Sequence, residues 1–179
     1  ADLIAGATAI RDRDLPTMCR VVERCALLHL DHITRGGDPF EKGSSRPLDF
    51  GHWSAHRLEV LSRHRLQHGE AVAIGVAIDL FYAIEIGRLT RAEVELIVSA
   101  LITCGFRLWD ECLDLRDAHG RRAVLAGLEQ FREHLGGELT LAMPDGLGAR
   151  SDISTFDEVA FERALRELRA LRTATPLPR

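Results

Sequence analysis

The sequence predicts an all-α fold, and three observations lead to this prediction. Apolar residues recur with a period near 3.6 over most of the chain, strand and helix patterns do not alternate, and neither G-x-G-x-x-G nor a P-loop occurs. The chain has 179 residues, of which 46% are hydrophobic. This is enough to bury one core. We predict a single helical bundle over residues 1–179, with six or seven helices.

The first clear helical pattern covers residues 15–33, where Pro16 suits the first turn. The next segment, residues 34–48, is rich in glycine, proline and serine, which break helical periodicity. Loops of this length are often functional. We therefore expect an ordered loop with a role in the protein's activity.

Helical spacing resumes over DFGHWSAHRLEVLSRH, residues 49–64. The following pattern, HGEAVAIGVAIDLFYAIEIG, is apolar on almost every face and ends at Gly87, which predicts a buried helix. Thr90 and Glu93 have the spacing of a capping box, which predicts the start of another helix.

The last third of the chain contains two more helical patterns, residues 120–135 and 156–171. The spacing of Thr155 and Glu158 predicts a capping box before the second of these. Residues 136–144, GGELTLAMP, show an alternation that fits at most one short strand.

Composition excludes several classes of protein. The 27 acidic and 23 basic residues give a net charge of -4 and are spread along the chain, so we expect no nucleic-acid partner. No apolar run is long enough for a membrane span. The four cysteines form no CxxC pair and lie in apolar segments, so we expect buried thiols and a soluble, cytoplasmic protein.

Histidine is concentrated in one part of the chain, with six of the eight between residues 29 and 68. His52 and His56 are four residues apart and share a helix face, and His64 and His68 have the same spacing. Such imidazole pairs suit Zn²⁺ or Co²⁺. A zinc-protease motif is excluded, because Trp53 stands where that motif has glutamate. Any one of these histidines, taken alone, is more often an ordinary polar side chain.

Two segments resemble the paired motifs of 3-dehydroquinate synthase. Residues 46–59, RPLDFGHWSAHRLE, are similar to that family's R…LNFGHT…GH…E, and residues 68–75, HGEAVAIG, are similar to its HGEAVA…G. Residues 37–41, GDPFE, resemble the acidic loop that precedes the arginine. The resemblance is strong over residues 37–87 and weaker after residue 90. It implies the C-terminal helical domain of the dehydroquinate synthase-like and glycerol dehydrogenase-like fold.

The resemblance also implies roles for individual residues. His52 and His68 match the family's metal ligands. His56 matches the histidine beside the reacting phosphate and hydroxyls, and Arg46 matches the arginine that contacts the substrate. Glu41 matches an acidic catalytic residue of the loop. Zn²⁺ or Co²⁺ at this site would lower the pKa of a substrate hydroxyl.

Asp49 departs from the family pattern, which has asparagine at this position. The change is associated with cyclases of other sugar phosphates, such as sedoheptulose 7-phosphate, so Asp49 and Arg46 are expected to bind the substrate. Those relatives usually lose the histidine that His56 retains, which leaves open whether the substrate is that sugar or 3-deoxyarabinoheptulosonate 7-phosphate. The resemblance favours a divergent, dehydroquinate-synthase-like bacterial branch.

The resemblance implies a carbon–oxygen lyase that uses NAD and a metal to eliminate phosphate and close a ring by an aldol step. Such enzymes bind NAD in an N-terminal Rossmann-like domain and commonly form homodimers. That domain, and the glutamate expected upstream as third ligand, lie outside these 179 residues. We therefore expect this chain to be one part of a longer enzyme and to be inactive alone.

Two alternatives stay open on the sequence alone. The first is a metal-dependent alcohol dehydrogenase of the glycerol dehydrogenase type, which shares the helical domain and its histidine ligands. The second is a helical interaction module without catalytic competence, for which an unusually apolar exposed face would be expected.

Overall fold

The structure is a computed structural model that describes residues 2–35, 47–134, 137 and 139–174. Within these residues the fold is all-α, as predicted, with one small sheet. The α-helices are α1 (Asp2–Arg11), α2 (Leu15–Arg35), α3 (His52–Leu61), α4 (His68–Glu85), α5 (Arg91–Thr103), α6 (Ala126–His134) and α7 (Glu158–Ala174). Short 3₁₀ turns cover Pro47–Asp49, Glu111–Asp114 and Ala123–Leu125.

Helix α4 is the centre of the bundle. It is buried over most of its length, as its uninterrupted apolar sequence predicts. Helices α3, α5 and α7 pack against it, α6 packs against α3, and α1 packs against α5. Aromatic rings fill the space between α3, α4 and α7, where Phe156 stacks on Tyr82 with centroids 4.6 Å apart and meets Trp53 edge-on at 5.5 Å. Helix α3 is therefore held firmly on α4.

The sheet is a two-stranded antiparallel hairpin. Strand β1 (Leu141–Pro144) pairs with β2 (Arg150–Ile153), with Leu141 opposite Ile153. The sequence pattern predicts only β1, because β2 is polar and mostly exposed. Ser151 and Ile153 face inward, but Ile153 is the one apolar residue of β2, so its sequence lacks the alternation of apolar and polar residues by which strands are recognised.

The predicted start agrees with the structure for α5 and differs for α7. The Thr90–Glu93 capping box at the start of α5 is confirmed. The predicted box at Thr155 and Glu158 is wrong: α7 begins at Glu158, and Asp157 accepts hydrogen bonds from the backbone N–H groups of Val159 and Ala160. A carboxylate one residue before the helix satisfies the free N–H groups of its first turn.

The prediction of buried thiols holds for only part of the set. Cys112 is buried, and burial raises the pKa of its thiol to about 11. Cys19 and Cys25 are exposed on α2. No described helix is both long enough and apolar enough to cross a membrane.

Candidate metal centre

Three imidazoles meet where α3 begins and α4 begins. His52 is the first residue of α3, His56 follows one turn later, and His68 is the first residue of α4. Their ring centroids form a nearly equilateral triangle, with separations of 5.6 Å between His52 and His56, 5.4 Å between His52 and His68, and 5.7 Å between His56 and His68. The fold thus brings together all three histidines that the motifs single out, and we call them the imidazole triangle.

Glu59 lies beside the imidazole triangle and contacts two of its members. Its Oε2 lies 3.2 Å from Nδ1 of His56 and its Oε1 lies 3.4 Å from Nδ1 of His68. One ligand atom from each of these three residues lies within 4.8 Å of the others, a spacing compatible with a shared metal ion. The motif includes Glu59, but its role was not predicted. Its position three residues after His56, on the same helix face, is the signal that points to it.

The environment of His52 favours a neutral ring. Burial lowers the pKa of the His52 imidazole, and the nearby His56 and His68 act in the same direction, whereas the Phe50 carbonyl and Asp49 oppose the change. Nδ1 of His52 lies 3.2 Å from the Phe50 carbonyl oxygen. Because a carbonyl only accepts, this contact places the proton on Nδ1 and leaves the lone pair on Nε2. Neutral imidazole is the form that binds a metal.

The two other members of the triangle face solvent. The side chains of His56 and His68 are 61% and 56% exposed, whereas Glu59 is only 18% exposed. The Glu59 carboxyl therefore contacts two exposed imidazoles from the protein side. Their outer faces are open to a substrate or to another protein surface.

The remaining predicted site residues lie on the segment before α3. Asp49 ends the 3₁₀ turn Pro47–Asp49 and is close enough to His52 for its charge to act on that ring. Arg46 and Glu41 lie outside the described residues. The loop predicted over residues 34–48 is therefore described only at its two ends.

The other histidines of the cluster do not share this geometry. His64 is exposed in the turn after α3, with φ of 59°. His29 and His32 lie on α2, and within the described part of the chain His29 Nδ1 and His32 Nε2 are buried with no hydrogen-bond partner. The fourfold spacing of His64 and His68 thus belongs to two different elements, and only His68 joins the triangle.

Comparison with known proteins gives a consistent set of matches. A family model described as 3-dehydroquinate synthase C-terminal matches residues 2–124. The 3-dehydroquinate synthase of Aeropyrum pernix is 36% identical over 112 residues, which are 63% of this chain and 30% of that protein. The 2-epi-valiolone synthase of Actinosynnema mirum is 33% identical over 139 residues, which are 75% of this chain and 35% of that protein.

A solved structure shows the same fold. ValA, the 2-epi-5-epi-valiolone synthase of Streptomyces hygroscopicus subsp. jinggangensis 5008, with NAD⁺ and Zn²⁺ bound, superposes with a TM-score of 0.79 at 22% sequence identity. The match covers 94% of this chain and 45% of ValA. The chain therefore spans less than half the length of the relatives that it matches.

Proposed function

Because this chain belongs to the 3-dehydroquinate synthase C-terminal family, we propose that it supplies the metal- and substrate-binding half of a sugar-phosphate cyclase. The observation that carries the proposal is the imidazole triangle with Glu59 in contact with two of its members. The complete enzyme would be a carbon–oxygen lyase that eliminates phosphate from a sugar phosphate and closes the ring by an intramolecular aldol step.

The donor set of the triangle fits a divalent cation. His52 and His68 would hold Zn²⁺ or Co²⁺ through Nε2, since Nδ1 of each ring faces an acceptor, the Phe50 carbonyl for His52 and Glu59 for His68. A bound ion would supply Lewis acidity toward a substrate hydroxyl. Two protein ligands leave coordination positions for the substrate and for a ligand from the N-terminal half.

Glu59 would orient the rings and need not bind the ion itself. Its two oxygens face Nδ1 of His56 and Nδ1 of His68, so one carboxylate fixes the tautomer of both imidazoles. With Nδ1–H directed at Glu59, each Nε2 faces outward with its lone pair available. His56 is then placed to accept or donate a proton at the substrate.

The substrate would approach the exposed side of the triangle. Asp49 lies next to His52 and is placed to accept hydrogen bonds from sugar hydroxyl groups. Arg46, three residues earlier, would contact the substrate, and Glu41 would act from the preceding loop. Relatives named for both dehydroquinate and valiolone synthesis are similar to this chain. We therefore propose a seven-carbon sugar phosphate as the substrate class.

The NAD-binding half would cover exposed apolar residues of α2. Thr17 is the only residue of α2 that is buried. The large apolar residues that are more than half exposed there are Leu15, Val22, Leu27, Leu28 and Leu30. Several large exposed apolar residues on one helix are typical of a protein interface. We propose that an N-terminal NAD-binding domain packs on α2, that the complete enzyme forms a homodimer, and that the isolated chain is inactive.

Metal binding tests the proposal directly. Zn²⁺ or Co²⁺ titration of the chain should give about one site per chain, and His52→Ala and His68→Ala should each weaken it by more than about tenfold. His119→Ala is the matched control, because His119 is an exposed histidine outside the triangle. Equal metal affinity in all three variants would contradict the proposed centre.

Activity tests the complete enzyme. The chain joined to the NAD-binding half should release phosphate from 3-deoxyarabinoheptulosonate 7-phosphate or from sedoheptulose 7-phosphate when NAD and the metal are supplied. His56→Ala should lower the turnover with little change in metal affinity. No release from either sugar by the joined enzyme with metal bound would exclude the cyclase activity.

A further inference from the structure

Asp79 is a buried carboxylate in the middle of α4. Asp79 is only 1% exposed and lies among the apolar side chains of the core. A charged group in such a position is costly unless it is hydrogen-bonded. Burial raises the pKa of Asp79 to about 7, and its two hydrogen bonds act in the opposite direction. Because burying this carboxyl group costs free energy of folding, we ask what its two hydrogen bonds contribute.

Both hydrogen bonds of Asp79 lead to the start of α3. Oδ2 accepts from the backbone N–H of Gly51 at 2.8 Å, and Oδ1 accepts from Nε1 of Trp53 at 2.8 Å. Gly51 and Trp53 are the residues immediately before and after His52. One carboxylate therefore holds the chain on both sides of a single imidazole.

We propose that Asp79 is a positioning residue for His52, which fixes the direction of its imidazole toward the metal through Gly51 and Trp53. The inference rests on the proposed metal centre. It adds to that centre a residue that touches neither the ion nor the substrate.

The surroundings support positioning over general cohesion. Helix α3 has no side-chain cap of its own at Gly51, and the Asp79 carboxylate accepts from the N–H of this N-cap residue from a neighbouring helix. A negative charge at a helix N-terminus is also favourable. Trp53, held at its Nε1, is 2% exposed and packs on Phe156 and Phe161, which prevents rotation of the first turn. His52 lies on this turn with its ring centroid 5.4 Å from that of His68.

The alternative is that Asp79 only holds α3 against α4. Asp79→Asn breaks the contact, because the amide presents one acceptor and one donor to two N–H groups and cannot satisfy both, and comparison with a control of similar stability separates the two roles. Trp53→Phe removes one of the two donors and serves if the first variant does not fold. Tyr82→Phe is the matched control: its buried hydroxyl on the same helix accepts from the Asp157 N–H at 2.9 Å, away from His52.

Two measurements test the inference. The first is the affinity of the chain for Zn²⁺ and the absorption spectrum of the Co²⁺ form. Removing an outer-shell partner typically weakens metal binding by about 10- to 100-fold. We expect a loss in this range and an altered Co²⁺ spectrum for Asp79→Asn and Trp53→Phe, and neither change for Tyr82→Phe at a comparable loss of thermal stability.

The second measurement needs no metal. The ¹⁵N shifts of the His52 ring report whether Nδ1 keeps the proton that it donates to the Phe50 carbonyl. We expect a mixture of tautomers in Asp79→Asn and a single tautomer in Tyr82→Phe. Unchanged ring shifts and unchanged metal affinity in a folded Asp79→Asn chain would overturn the inference. A chain that binds no metal refutes the proposed centre instead, and the ring shifts still decide the role of Asp79.

Discussion

Gly75 lies so close to the start of α3 that a Cβ atom on it would stand 2.0 Å from the carbonyl oxygen of Gly51. The contact is mutual, since a Cβ on Gly51 would stand 2.6 Å from the backbone nitrogen of Val76. The backbones of α3 and α4 therefore touch at this point. This contact sets the separation of His52 and His68, whose rings are 5.4 Å apart.

Gly75→Ala should force the two helices apart. We expect it to lower the free energy of unfolding by about 1–3 kcal/mol, the usual cost of overpacking, and to weaken metal binding as well. Urea denaturation and Zn²⁺ titration measure the two effects. Gly69→Ala is the control on the same helix: a Cβ there meets nothing within 4 Å, and the change should stabilise the helix by about 0.5–1 kcal/mol. Equal stability of the two variants would contradict the close contact.

Glu59→Gln should weaken metal binding without unfolding the chain. The Glu59 carboxylate lies 3.2 Å from Nδ1 of His56 and 3.4 Å from Nδ1 of His68, and the glutamine amide would present a donor to one of these nitrogens, so one ring would lose its orientation. We expect the affinity for Zn²⁺ to fall by about tenfold or more. Glu95→Gln, on the exposed side of α5, removes a carboxylate of the same kind and should leave the affinity unchanged. If both variants bind Zn²⁺ like the wild type, Glu59 has no part in orienting the ligands.

The buried carboxyl of Asp79 should make stability depend on pH. Its pKa is raised from 3.8 to about 7 in the folded protein. The folded state therefore binds this proton more tightly, and the resulting stability is fully present below 3.8 and is lost as the pH rises through about 7. We expect the wild type to lose stability relative to Asp79→Asn as the pH rises from about 4 to about 7, where the folded and unfolded states bind different numbers of protons at Asp79.

His52 also makes the stability depend on pH, so its contribution must be separated from that of Asp79. The pKa of His52 is lowered by burial, so its contribution has the opposite slope and increases with pH. Making the comparison between His52→Ala and the double variant His52→Ala/Asp79→Asn removes this contribution, because Asp79→Asn is itself expected to alter the His52 ring. A difference that does not change with pH would show that Asp79 titrates at its ordinary value.

Arg122 should be the most important ion-pairing residue for stability. Its side chain is only 11% exposed, pairs with both oxygens of Glu162 on α7, and donates to the Leu113 carbonyl at 2.7 Å. We expect Arg122→Ala to cost about 2–3 kcal/mol, somewhat less than a fully buried pair. Arg132→Ala breaks a half-exposed pair with Glu129 and should cost less than about 1 kcal/mol. Thermal denaturation compares them, and similar melting temperatures would refute the expectation.

Local patterns explain which parts of the fold the sequence could predict. The Thr90–Glu93 capping box spans three residues, and the burial of α4 follows from its own composition. Helix α1 was not predicted, because its ten residues offer only a short apolar run. Strand β2 was not predicted, because its partner β1 and not its own sequence determines its conformation.

The residues of the candidate site also divide into those that the sequence could predict and those that it could not. The resemblance of two motifs to the family selected His52, His56 and His68, and the structure brings them together. Asp79 could not be found in this manner, because it lies 28 residues from Gly51 and acts through a backbone N–H that no motif records. The dehydrogenase alternative is not favoured, since the family match and the relatives are dehydroquinate and valiolone synthases.

The openness of the imidazole triangle has a practical consequence for handling the protein. Three rings less than 6 Å apart, two of them more than half exposed, present nitrogen donors much as a polyhistidine tag does. The untagged chain should therefore bind to nickel-charged resin and elute with imidazole. Metal carried over from such a column would occupy the very residues under study, so preparations should be stripped with a chelator before any titration.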